Sequence, residues 1–211
     1  MAKREVTISV HPTSHDTVNI AYYSVSSSYP LSNGYTDSDS TTYGQVGFTR
    51  GANAETYVYY KFDFSSIPAG AIIKSVSAKA KGMSSVTASS IVATRQMQLA
   101  TGTTLKGSAL TMSASATEQT FTNVGTWTRE ELLDAGIRFY TKRKTSNTST
   151  NYNLRMYGAT MTVTYEIDEP DMPVRVKQNG AWATPSKILV KQNGSWSEAT
   201  KITAKDNGTW K

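Results

Sequence analysis

The chain has no cysteine, only two histidines, and no apolar run near the roughly 18 residues that a helical membrane span requires. The first absence excludes a disulfide frame and a thiolate metal site; the last argues against insertion into a membrane. The opening residues, Met1-Ala-Lys-Arg-Glu-Val, lack the apolar stretch of a secretory signal, so synthesis in a cytoplasm without export by that route is expected. Acidic residues are outnumbered, 16 against 22 basic, for a net charge of +6. A basic balance suits an anionic partner. Here, however, Lys and Arg are scattered, their densest cluster is Lys142-Arg-Lys144, and no nucleic-acid motif accompanies them, so nucleic acid is not an expected partner. Hydrophobic residues make up 38% of the chain, little for an enzyme with a large core.

What the chain does have is alternation. In Tyr57-Val-Tyr-Tyr-Lys-Phe-Asp-Phe64, the residues Val58, Tyr60, Phe62 and Phe64 share one face, and Tyr57, Tyr59, Lys61 and Asp63 the other. Period two with aromatic and β-branched residues marks a half-buried strand. Pro68 and Gly70 then punctuate a turn. Alternation resumes with Ile72, Val76, Ala78 and Ala80 on an apolar face that Lys74 interrupts. Further strands are read at 6–10, 18–23, around 42–46, at 91–99, 108–113, 119–124, 137–142 and 153–167. Thr128 and Glu131 form a capping box for a helix over 129–135, with Gly136 as its C′ residue. In the last strand the apolar parity changes, from Leu154 and Met156 to Met161, Val163, Tyr165 and Ile167. A bulge near Gly158 is the device that keeps both sets on one face. Eight to ten strands with one short helix give an all-β fold: a jelly-roll-like antiparallel β-sandwich over residues 1–168.

Residues 169–173 form an acidic, proline-bearing linker. Over 174–211 the sequence repeats itself: Val176-Lys-Gln-Asn-Gly-Ala-Trp182, Val190-Lys-Gln-Asn-Gly-Ser-Trp196 and, truncated, Ala204-Lys-Asp-Asn-Gly-Thr-Trp210, at a period of 14 residues. Each Asn-Gly is a two-residue hairpin signal. A lone hairpin is marginal, so Trp182, Trp196 and Trp210 are expected to form an assembly seam within the repeat, on the sandwich or between subunits.

Two resemblances follow from these residues. Tyr57 through Ala71, Gly125-Thr-Trp-Thr-Arg-Glu-Glu-Leu132 and Tyr157-Gly-Ala-Thr-Met-Thr-Val-Thr-Tyr165 resemble a β-sandwich domain of bacteriophage and prophage structural proteins. The same strand–turn–strand pattern occurs in jelly rolls of the carbohydrate-binding-module type. The tail is similar to VK-x-NG-x-W repeats at the ends of phage tail and baseplate proteins. The resemblance implies a non-enzymatic virion protein, made in a bacterial host, that assembles with itself and other virion proteins as capsid decoration or as part of a tail or baseplate. In some relatives it implies attachment to host cell-surface glycan, which is the alternative reading of this chain's main role.

No catalytic constellation stands out. His11 and His15 lie in Val10-His-Pro-Thr-Ser-His-Asp16 and read as loop histidines, although a metal or a Ser-His-Asp arrangement uses the same residue types. Glu130 and Glu131 suit a helix N-terminus. No cofactor is expected. If the chain held a cation, the hard oxygens of Asp37 and Asp39 would suit calcium. The group with most to offer is Tyr22, Tyr23, Tyr29, Tyr35 and Tyr43, set among Ser, Asn and Asp. Tyr29, Tyr35 and Tyr43 are the candidate glycan-binding residues: flat rings stack on a pyranose while polar neighbours bond its hydroxyls. The same tyrosines also suit a core or a subunit interface, having an apolar body and a polar tip.

Overall fold

The computed structural model describes residues 3–18, 23–35, 41–48, 55–89, 91–144 and 152–168, and short strands at 176–178, 181–183, 189–192, 195–198, 205–206 and 209–210. The chain divides into two compact units, Ala2–Asp168 and Glu169–Lys211. In the first, the elements run β1 (Lys3–Val10), β2 (Pro12–Val18), β3 (Tyr23–Val25), a 3-10 turn (Leu31–Gly34), β4 (Gly44–Phe48), β5 (Glu55–Phe62), β6 (Ile72–Ser84), β7 (Val92–Thr101), β8 (Thr104–Thr111), β9 (Thr117–Thr120), α1 (Arg129–Leu132), β10 (Ala135–Arg143) and β11 (Tyr152–Asp168).

Two antiparallel sheets form a jelly-roll-like sandwich. One is six-stranded, in the order β3-β4-β11-β6-β9 with β1 also on β11; the other is five-stranded, β2-β5-β10-β7-β8. The long β11 organises the first sheet. Its beginning pairs with β4 and its end with β1, while β6 follows it along the other edge. The expected core face of β5 and the residues just after it is the observed one: Val58, Tyr60 and Phe62 of the strand and Phe64 beyond its end are all buried. They meet Met97, Leu99, Ile137 and Phe139 of their own sheet and Val46, Ala80, Leu154, Met156, Met161 and Val163 of the other. Each such side chain contributes about 1.5–3 kcal/mol by leaving water.

The expected bulge is present. The β11–β6 register shifts between Met156 and Gly158, so Leu154 and Met156 before it and Met161 and Val163 after it all reach the core. A second shift was hidden in the Lys74 interruption. Tyr165 pairs with Ile73 and Thr164 with Ser75, so Lys74 is the extra residue and ion-pairs outward with Glu166 at 3.0 Å. In consequence Ile73 packs against the core, and Ile72, expected on the apolar face, is 52% exposed. The alternation of 91–99 puts Ile91, Ala93, Met97 and Leu99 on one side, but Ala93 faces solvent and Val92 the core, because the register shifts opposite Lys142/Arg143.

Three other expectations are corrected. The helix is a single turn, Arg129–Leu132, not 129–135; its capping box forms as expected, with both the Thr128 and Glu131 side chains accepting. Gly136 is not a C′ residue but lies inside β10. A Cβ there would sit 2.4 Å from the Tyr59 ring and 2.5 Å from the Tyr60 carbonyl oxygen, so close strand–ring approach selects glycine. The polar His11–Asp16 stretch is mostly strand: β2 spans Pro12–Val18 against β5, where ladder bonds to a core strand outweigh polar composition.

In the second unit three two-stranded antiparallel hairpins form: β12–β13 (Val176–Gln178, Ala181–Ala183), β14–β15 (Leu189–Gln192, Ser195–Glu198) and β16–β17 (Lys205–Asp206, Thr209–Trp210). Their registers repeat: Lys177 faces Trp182, Lys191 faces Trp196 and Lys205 faces Trp210. The linker 169–173 and the Asn-Gly turns lie outside the described residues. Among the described residues no helix is long and apolar enough to cross a membrane.

Candidate functional site

The segment that carries Tyr29 is fastened to the sandwich on both sides. The Gln45 amide donates to the Tyr29 carbonyl at 3.0 Å and the Ser26 amide to the Gln45 carbonyl at 3.1 Å, so residues 26–29 run along β4. Two residues on, Leu31 enters the core at 2% exposure, and the buried Tyr60 hydroxyl donates to its carbonyl at 2.6 Å. With Gly44 and Leu31 turned inward toward Tyr60, strand alternation sends Tyr43 and Gln45 to the outward face of the six-stranded sheet.

There the rings stack in a row. Tyr29 lies nearly parallel to Tyr43, with centroids 4.5 Å apart and an 18° interplanar angle, and Tyr43 leans on Tyr157 at 5.1 Å. Tyr157 is the residue beside the bulge. The Arg155 guanidinium lies 4.6 Å from the Tyr43 ring centre, and its Nε donates to Gln45 Oε1 at 2.8 Å. Lys81 Nζ stands 5.6 Å from the Tyr157 ring centre. Exposure falls along the row, from 38% at Tyr29 to 9% at Tyr43 and 3% at Tyr157. Tyr43 and Tyr157 are the backing, and Tyr29 is the ring offered to solvent. Burial, more than its bond to Tyr29, raises the Tyr43 pKa, with Arg155 pulling the other way; its hydroxyl is neutral at physiological pH.

Tyr35 is elsewhere. Its hydroxyl is hydrogen-bonded to His15 Nδ1 at 2.5 Å and its ring meets the edge of Tyr60 at 5.4 Å. It packs between β2 and the core rather than joining the Tyr29 row. Tyr23 is in β3; Tyr22, Asp37 and Asp39 lie outside the described residues. His11 does not face His15 but caps the end of β1, with Nδ1 donating to the Ala159 carbonyl at 3.0 Å. Glu131 is occupied by the capping box and by Lys106. Lys106 and the Thr128 amide hold its carboxyl below the usual pKa, Lys106 the more strongly. Among the described residues no group of three or more His, Asp or Glu is placed to hold a metal. Trp182, Trp196 and Trp210 lie on the returning strands of the three hairpins.

The sequence reading missed two features. Arg155, Gln45 and Tyr157 complete the Tyr29 row; the signal for Arg155 and Tyr157 was their odd parity in β11, opposite to the core residues Leu154 and Met156, and Gln45 in β4 carried none. The outward face of the five-stranded sheet is also aromatic, with Tyr57 paired to Tyr140 and Tyr59 to Arg138. Its rings are already engaged. Arg138 covers Tyr57 at 3.9 Å, and Tyr59 is 4% exposed and donates to the Asp134 carbonyl at 2.6 Å. The Tyr140 hydroxyl bonds Glu55 at 2.8 Å, and burial with that bond pushes its pKa up to about 12. Tyr29 differs in having one ring face backed and 38% of its surface open.

No family model and no curated protein matches the chain. Among solved structures, the chain is similar to the family 11 carbohydrate-binding module of the cellulosomal cellulase Lic26A-Cel5E of Clostridium thermocellum, at 10% identity and a TM-score of 0.30, over 74% of this chain and 86% of that one.

Proposed function

We propose that this chain is a non-catalytic adhesion module that binds polysaccharide through the Tyr29 row. One observation carries the reading: a half-open tyrosine ring stacked on a buried one. A flat ring held rigidly takes the apolar face of a pyranose without ordering a mobile side chain. Gln45 and Arg155 beside it supply the amide and guanidinium groups that fix a sugar's orientation. Tyr29→Ala tests it. Retention on host cell-wall polysaccharide should fall at least tenfold, about 1.4 kcal/mol, while the thermal midpoint stays within a degree or two of wild type. Undiminished retention refutes the proposal.

The chain's setting is proposed to be a bacteriophage particle. The phage-like motifs of the sandwich and the three tail hairpins in one repeated register support this second reading. A repeated hairpin that buries little alone favours packing against copies of itself or other virion proteins. Peptide mass spectrometry of purified particles checks it, and absence of the chain from them refutes it.

A further inference from the structure

Three cations of the six-stranded sheet are held in ion pairs. Lys3 and Lys74 both reach Glu166, and Lys79 reaches Glu118 at 2.9 Å. Arg155 is different. Among the described residues no carboxylate forms an ion pair with it; its contacts are the Tyr43 ring and the Gln45 amide oxygen. These contacts fix the guanidinium plane on the outward face without neutralising its charge. A guanidinium held through Nε still presents its Nη groups, whose fork geometry matches the two oxygens of a carboxylate or phosphate. The chain as a whole is basic, with a net charge of +6. Partial burial strengthens such a contact, because the low dielectric around the rings screens it less.

We infer that the polysaccharide taken at Tyr29 is acidic, with the sugar ring on Tyr29 and a backbone carboxylate or phosphodiester on Arg155. This rests on the glycan-binding reading above and names the ligand's charge. The oxyanion has two sources: a uronic acid in the chain, or phosphate linking its units.

Affinity electrophoresis of the full chain through polygalacturonate, poly(glycerol phosphate) and neutral hydroxyethyl cellulose separates them. Wild type should be retarded about tenfold more by at least one acidic polymer than by the neutral one, the scale of one charge-assisted hydrogen bond. The retardation should weaken as sodium chloride rises, as screening demands. Arg155→Gln should abolish the acidic preference, bringing retardation by acidic and neutral polymers to one level, whereas Arg155→Lys should keep much of the preference. The polymer that retains wild type identifies the oxyanion. Equal retardation by acidic and neutral polymers overturns this inference and leaves glycan binding standing, as does an acidic preference that survives Arg155→Gln. Retardation by none of the three sinks both. Should Arg155→Gln misfold, the salt response of wild type decides: an acidic preference unmoved by salt overturns the inference.

Discussion

The hydroxyl of Tyr60 donates to the carbonyl of Leu31 at 2.6 Å where neither residue meets water: Tyr60 is 0% exposed and Leu31 2%. One bond therefore ties β5 of the five-stranded sheet to the turn that follows Tyr29. Removing the donor leaves a buried carbonyl unpaired, at a cost of about 1–3 kcal/mol. Tyr60→Phe should lower the thermal midpoint accordingly and speed amide exchange in residues 26–34. Tyr140→Phe is the control. Its hydroxyl bonds an exposed Glu55 carboxylate, so its loss should cost well under 1 kcal/mol.

The same hydroxyl explains two glycines. A Cβ on Gly34 would stand 2.4 Å from Tyr60 Oη and 2.6 Å from the Met156 carbonyl oxygen; one on Gly44 would stand 2.7 Å from Tyr60 Oη and 2.8 Å from Leu31 Cα. Backbone lies on one side in each case, so the turn must shift. Gly34→Ala and Gly44→Ala should each destabilise by about 1–3 kcal/mol in chemical denaturation. In a Tyr60→Phe background the cost should shrink, because the oxygen that collides is gone. Additive costs would show that the backbone contacts dominate.

The sandwich was legible in the sequence because two-residue periodicity survives wherever both strand faces differ in polarity. Val58 to Phe64 shows this, and so does the parity change that located the bulge by Gly158. Legibility failed where one residue slipped the register without a glycine to announce it. Lys74 looked like an exception on an apolar face, whereas it is the extra residue that turns Ile72 out and Ile73 in. Gly136 looked like a helix stop because Thr128 and Glu131 cap a real but single helical turn; its cause is the Tyr59 ring, brought to it by pairing across β5 and β10. The candidate site was half legible. Tyr29 and Tyr43 lie 14 residues apart in a polar segment that reads as a site. Tyr157 and Arg155 join them only through strand pairing over more than a hundred residues, and Tyr35 leaves them because its hydroxyl meets His15.

His15 gives the fold a pH response. Burial lowers its pKa below 6.5, against the opposing pull of Asp16. A histidine whose folded pKa is depressed favours the neutral state, so the unfolded chain binds more protons once pH falls below about 6.5. Stability is full above that value and declines as pH drops through the interval down to the folded pKa. The depressed carboxyls of Glu131 and Glu166 act lower, below about 4.5, outside this window. Urea midpoints should therefore fall between pH 7.5 and 5.5 in wild type. In His15→Asn, which keeps a polar atom toward Tyr35, the midpoints should be flat over the same range. A slope retained in His15→Asn would assign the response to another group.

Tyr157 tests whether the buried end of the row governs the exposed end. It is 3% exposed, lies beneath Tyr43, and its hydroxyl has the weak acceptor Met83 Sδ at 3.2 Å. Tyr157→Phe removes only that contact, so stability and polysaccharide retention should both stay close to wild type. Tyr157→Ala removes the ring itself, with a stability cost of about 3 kcal/mol from lost burial and the cavity left behind. Tyr43 and Arg155 then lose their floor, and Tyr29 loses the rigid backing that makes its ring a platform. Retention should collapse to the Tyr29→Ala level at a temperature where the variant is still folded by circular dichroism. Full retention by folded Tyr157→Ala would show that Tyr29 binds without its stack, and the preorganised row would have to be given up.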